Sequence, residues 1–107
     1  MRILLAEDEE QLARVLKMAM EQSGYQVDAV ENGQAAVELS QKNAYDAIIL
    51  DIMMPIKDGF ACCKEIREQV ETAHIPILML TAKAEDADII RGAQLGVDDY
   101  MMKPFNP

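Results

Sequence analysis

At 107 residues the chain is long enough for one domain with its own core, so it needs no disulfide or metal staple to fold. Its net charge of -9, from 19 acidic and 10 basic residues, repels phosphate backbones and excludes nucleic-acid binding as this domain's own role. No apolar run approaches the roughly 18 residues of a membrane span and no secretory leader pattern is present, so a cytoplasmic setting without membrane contact is expected.

Arg2 to Ala6, RILLA, reads as a short buried strand and runs directly into Glu7, Asp8, Glu9 and Glu10. Leu12, Val15, Leu16 and Ala19 then recur at helical spacing, and Ser23-Gly24 closes that helix. Tyr25 to Val30 reads as a second strand, Asn32-Gly33 as a turn, and Ala35, Ala36, Val37 and Leu39 as the apolar side of a second helix. Ala47 to Leu50 is an unbroken apolar run, the pattern of a parallel strand buried on both faces, and it ends on Asp51. Taken alone, Asp51 is equally a loop cap or a ligand-site residue.

Pro55 and Gly59 mark the loop that follows, and Asp58 is placed to cap a third helix whose core face is Cys63, Ile66 and Val70, with Phe60 and Cys62 alongside. Adjacent cysteines on a helix point in different directions, so Cys62 and Cys63 are expected to be reduced packing residues. Ile75 to Leu80 reads as a fourth strand, with Pro76 tolerated near its start. Ala84 to Gln94 gives a weaker helical pattern closed by Gly96, and Val97 to Met102 a fifth strand that runs into Lys103-Pro104-Phe105. His74 reads as a solvated loop residue, Lys57 and Lys83 as surface charges, and the eight methionines as core filler.

Five strands alternating with four helices imply an α/β fold over residues 1–107, a single domain with a parallel sheet, right-handed crossovers and helices on both faces. A helix after the fifth strand would complete that cover. The sequence ends at Pro107, and the expectation is an apolar patch beside strands one and three, with self-association or lowered stability.

In a parallel sheet the carboxyl ends of all strands share one edge, where open α/β sheets bind ligands. Strand one delivers Glu7 and Asp8 there, strand three Asp51, strand four Thr81 and strand five Lys103. Two like charges 4 Å apart repel by about 4 kcal/mol at an effective dielectric near 20, so three carboxylates need a cation or protons. Few, oxygen-only ligands with room for water suit Mg²⁺ better than Ca²⁺, and the absence of His or Cys nearby argues against zinc. Lys103 could be a plain structural counter-ion. A phosphoryl group explains the whole set: a carboxylate nucleophile forms an acyl phosphate while a cation and an ammonium neutralise its oxygens.

The stretches ILLAEDEE, AIILDIMMPIKDG, PILMLTA and GVDDYMMKPF together resemble the receiver domains of two-component response regulators, in order and spacing over essentially the whole chain. The resemblance implies the flavodoxin-like doubly wound sheet of strand order 2-1-3-4-5. It also implies an Asp51 that is phosphorylated by a histidine kinase or phosphotransfer protein, and Mg²⁺ held by Glu7, Asp8, Asp51 and the Met53 backbone carbonyl. Lys103 would pair with the phosphoryl group, Thr81 would be the switch hydroxyl with the Ala82 N–H beside it, and Tyr100 the aromatic switch. The Lys103-Pro104 bond is cis in this family. The resemblance thus implies a phosphoacceptor switch, not a turnover enzyme, although such a domain assists its own phosphorylation and dephosphorylation.

DDYMMKPF is most similar to the subfamily with C-terminal winged-helix DNA-binding domains, which implies control of transcription through a further domain and a homodimer through the face from Ala84 to Met102. Ala87 and Ile89 depart from that subfamily's usual charges, while Arg91, Asp98 and Asp99 retain them. A stand-alone receiver acting through protein contacts is the alternative. An aspartate-nucleophile phosphatase would carry an acid where Met53 stands, and a flavin domain would need a glycine- and hydroxyl-rich loop where the acid run begins at Glu7. A scaffold that has lost phosphorylation would not be expected to keep the full acid set.

Overall fold

A computed structural model describes residues 1–82 and 86–103, with side chains from residue 89 onward in the second segment. The elements are β1 (Arg2–Ala6), α1 (Glu10–Gln22), β2 (Gln26–Val30), α2 (Gly33–Lys42), β3 (Ala47–Asp51), α3 (Gly59–Glu68), β4 (Ile77–Thr81), α4 (Asp86–Leu95) and β5 (Asp99–Met102). The five strands form one parallel sheet of order β2-β1-β3-β4-β5, as expected for the flavodoxin-like arrangement. The central strands carry the core: Leu4, Leu5, Ile48, Leu50, Met79 and Leu80 are all buried. Each such side chain removed from water stabilises the fold by about 1.5–3 kcal/mol.

One layer packs α2, α3 and the end of α4 on Leu4, Ile48, Leu50 and Met79. The other packs α1 on Ile3, Leu5, Val27 and Leu80. Here the expected helix face is off by one stripe. Ala13, Leu16 and Met20 meet the sheet, whereas Val15 is 59% exposed and Ala19 is also exposed. The sequence run allows either stripe, and packing on Ile3, Leu5, Val27 and Leu80 selects the one a residue further round.

Asn32 is an N-cap and not part of a free turn; its side chain accepts the Ala35 N–H at 2.8 Å, and Gly33 is already helical. Asp58 caps α3 as expected, accepting the Ala61 N–H at 2.8 Å. Val70 lies past the end of α3 and is exposed, so the buried face of that helix is Phe60, Cys62, Cys63 and Ile66. Both cysteines are free and buried, and burial pushes the Cys62 thiol up to about 12, which makes it inert. Lys57 is not a solvated charge: it pairs with Glu65, which ties the β3–α3 loop to α3. β5 starts at Asp99 rather than Val97, because the Val97 N–H is spent on the Gly92 carbonyl in closing α4. Among the described residues no helix is long and apolar enough to cross a membrane.

Candidate functional site

Register decides what meets at the carboxyl edge. Ala6 pairs with Leu50, so Glu7 and Asp51 are the next residues out on adjacent strands. Asp51 pairs with Leu80, which brings Thr81 alongside, and Thr81 pairs with Met102, which leaves Lys103 at the tip of β5. Backbone bonds extend the ladders past the strand ends and hold these residues in place: Glu7 N–H to Val30 O (3.0 Å), Ile52 N–H to Leu80 O (3.0 Å) and Lys103 N–H to Thr81 O (2.7 Å).

Glu7, Asp8 and Asp51 each place a carboxylate oxygen within 4.8 Å of the others. Glu7 and Asp51 are buried and Asp8 is exposed, so the cluster opens to solvent on one side. Lys103 Nζ lies 2.7 Å from Glu7 Oε2 and donates to Asp51 Oδ2 at 3.0 Å. The Glu7 contact is an ion pair without hydrogen-bond geometry, and Oε2 has no hydrogen-bond partner among the described residues. Glu7 Oε1 accepts the Glu9 N–H at 3.1 Å, and Asp51 Oδ1 accepts the Met53 N–H at 3.3 Å.

Burial pushes the Glu7 carboxyl above its ordinary value; Lys103 and the Glu9 N–H oppose that push and the Asp51 charge adds to it. Burial pulls the Lys103 ammonium down, but the carboxylates of Glu7 and Asp51 outweigh it and hold the ammonium above its ordinary value. One ammonium therefore serves two buried carboxylates, with a third acid beside them. Such a donor set, three carboxylates sharing one ammonium with no nitrogen or sulfur ligand among them, fits a hard divalent cation.

Thr81 is buried and Ala82 is exposed at the end of β4. Tyr100 sits on β5 two residues before the edge, half-buried against the helix layer with Leu95 and Val97. The Lys103-Pro104 bond and Lys83 lie outside the described residues.

Gly59 belongs to this site and was readable from the sequence only as a loop marker. Its N–H bonds Ile52 O at 2.8 Å, and a Cβ at 59 would lie 2.4 Å from the Asp51 carbonyl oxygen. Its place in the loop that follows the acid was the one available signal. A cavity of about 310 Å³ lies at the opposite edge, lined by Lys42, Tyr45, Glu71 and His74 among others, away from the acid cluster.

The response regulator receiver domain family matches residues 3–107. Among curated relatives, the chain is 44% identical over 106 residues to the transcriptional regulatory protein ResD of Bacillus subtilis, covering 99% of this chain and 43% of that protein. It is 42% identical over 105 residues to the transcriptional regulatory protein SrrA of Staphylococcus aureus, covering 98% and 42%. The chain thus spans less than half the length of these relatives. Among solved structures, the chemotaxis protein CheY4 of Vibrio cholerae superposes with a TM-score of 0.95 at 31% identity, over 99% of this chain and 88% of that one. The receiver domain of the sensor histidine kinase PA1611 of Pseudomonas aeruginosa, solved with a magnesium ion coordinated in its active site cleft, superposes with a TM-score of 0.90 at 37% identity, over 98% and 86%. With nearly every residue matched and the strand order shared, the chain belongs to the response regulator receiver domain family, the signalling switches of two-component systems.

Proposed function

We propose that Asp51 is the phosphoacceptor of this receiver, and that its phosphorylation by a histidine kinase or phosphotransfer protein reshapes the face formed by α4 and β5. The observation that carries this is the buried Asp51 carboxylate, 4% exposed, held at the sheet edge by an ammonium it shares with Glu7. A carboxylate oxygen of Asp51 attacks phosphorus, the nitrogen–phosphorus bond of the donor phosphohistidine breaks, and the bonding pair leaves with the imidazole. Glu7, Asp8, Asp51 and the Met53 carbonyl would hold Mg²⁺, which supplies charge neutralisation for the phosphoryl oxygens when bound. Lys103 already touches Asp51 and needs only a small shift to meet the new oxygens. Thr81 and the Ala82 N–H stand on the adjacent strand end, where a phosphoryl group on Asp51 offers them an acceptor.

Exposed Ile89, Ile90 and Met102 on α4 and β5 support that face as the place where the signal is passed on, including to a second copy. The two transcriptional regulatory relatives favour a transcriptional output through a separate DNA-binding domain, in the cytoplasm, over a stand-alone receiver.

Intact-mass measurement after adding acetyl phosphate, with and without Mg²⁺, tests the assignment. A single phosphoryl adduct that needs Mg²⁺ and vanishes in Asp51→Ala is expected; an adduct that survives in Asp51→Ala refutes it. Thr81→Ala is expected to accept the phosphoryl group yet fail to rearrange Tyr100. A normal Tyr100 response in that variant would remove Thr81 from the switch.

A further inference from the structure

Tyr100 lies across α4 in a place that only a glycine leaves free. At Gly33 and Gly59 the obstacle to a side chain is backbone: a Cβ would lie 2.1 Å from the Lys57 carbonyl oxygen and 2.4 Å from that of Asp51. At Gly92 the obstacle is a side chain. A Cβ there would lie 1.4 Å from the Tyr100 hydroxyl oxygen and 2.7 Å from its Cζ, with Val97 Cγ2 next at 3.3 Å. Gly92 is buried in the interior of α4, and the Tyr100 hydroxyl reaches the Ile89 carbonyl one turn away at 3.5 Å. The phenol ring therefore covers the bare backbone of one helical turn.

Glycine is the less favourable choice in a helix interior, where alanine loses less backbone freedom. Its φ is not in the left-handed region, so the backbone of α4 does not require it. What requires it is the ring. A rotatable side chain can vacate its position where main chain cannot, so a methyl at 92 has an outcome short of breaking the fold: it expels Tyr100.

We infer that Gly92 is a positioning residue, the seat of Tyr100, whose missing side chain sets the balance between the arrangement seen here and one in which the ring has left α4. The link from seat to signalling rests on the proposed switch role of Tyr100.

Three tyrosines make this measurable by fluorine NMR on the chain labelled with 3-fluorotyrosine, with Tyr100→Phe identifying the Tyr100 signal. Without any phosphodonor, Gly92→Ala is expected to move the Tyr100 signal while those of Tyr25 and Tyr45 stay in place. A stationary Tyr100 signal overturns the inference. Thermal melts of a double-mutant cycle separate expulsion from general damage. Gly92→Ala is expected to lower Tm when Tyr100 is present and to raise it in a Tyr100→Ala background, where alanine simply favours the helix. An equal fall in both backgrounds overturns the seat.

Acetyl phosphate with Mg²⁺ then tests the link to signalling, with phosphorylation read separately by intact mass. The wild-type Tyr100 signal is expected to move toward its Gly92→Ala position, and the Gly92→Ala chain to show little further change. A phosphorylated wild type with an unmoved Tyr100 refutes the switch role, and a chain that is never phosphorylated refutes the Asp51 assignment. The first two measurements decide the seat in either case.

Discussion

At the scale of single residues, the loop between β3 and α3 inverts the usual placement of glycine. The glycine that closes it, Gly59 at the first position of α3, is needed for close backbone approach to Asp51, and the loop's positive φ of 70° falls on Ile56, a β-branched residue with 79% of its surface exposed. The left-handed region costs a residue with a Cβ about 1–2 kcal/mol. No packing offsets this, since the side chain stands in solvent. Ile56→Gly should therefore stabilise the chain, by about 0.5–1 kcal/mol after the greater unfolded-state freedom of glycine is deducted. Urea unfolding measures the gain; an unchanged or lower midpoint would show that Ile56 makes contacts that outweigh its backbone cost. Gly59→Ala, three positions on, should do the opposite and displace the Asp51 carbonyl. The sequence marks all of these positions as loop, and which one carries the positive φ depends on how the chain leaves the Asp51 edge.

At the scale of elements, α4 is fastened at its carboxyl end. Arg67, on α3, donates to Gly96 O at 3.0 and 2.8 Å, to Ala73 O at 3.0 Å, to Ile75 O at 2.5 Å and to Asp98 Oδ2 at 2.9 Å. Asp98 in turn accepts the Ile77 N–H at 2.7 Å, which joins the start of β4 to the α4–β5 turn. Cys63 Sγ contacts Leu95 O at 3.4 Å, and Arg91 stacks on the Phe60 ring at 4.5 Å. Arg67→Ala would leave several carbonyls and Asp98 without this donor, at a cost of about 2–3 kcal/mol. Faster amide exchange at Val97 and Asp98 is expected to accompany the loss; unchanged exchange there would mean that α4 is held by its apolar contacts alone. Periodicity could place α4 in the chain, because an apolar stripe is a local signal. It could not show Arg67 at work, because that residue bonds carbonyls from turns that meet only in the folded molecule. The same limit misassigned Val15: the stripe tells that a helix has a face, and only the neighbour decides which one, whereas Val70 was missed because α3 ends before it.

At the scale of the whole molecule, the carboxyl edge was legible because parallel alternation alone sends Glu7, Asp8, Asp51, Thr81 and Lys103 to one side. The division of labour among them was not, since burial separates two acids of the same type and leaves Glu7 Oε2 without a hydrogen bond among the described residues. That division sets a pH signature. Glu7 titrates above its ordinary value of 4.5 in the folded chain, so the native state holds a proton that the unfolded chain has released. The unfolded chain then binds fewer protons, and without a divalent cation stability falls as pH rises from 4.5 through the Glu7 titration. Mg²⁺ held by Glu7, Asp8 and Asp51 as proposed is expected to reverse the slope, because those ligands bind a cation only when deprotonated and are gathered only by the fold. At a hundred times its dissociation constant it would contribute about 2.7 kcal/mol at neutral pH, fading toward zero as Glu7 becomes protonated. Thermal melts across that range, with and without Mg²⁺, should give curves that converge in acid and part toward neutrality. Glu7→Gln should flatten the metal-free curve in this window and abolish most of the Mg²⁺ increment. A Mg²⁺ increment that survives Glu7→Gln and ignores pH would place the cation elsewhere on this strongly acidic surface.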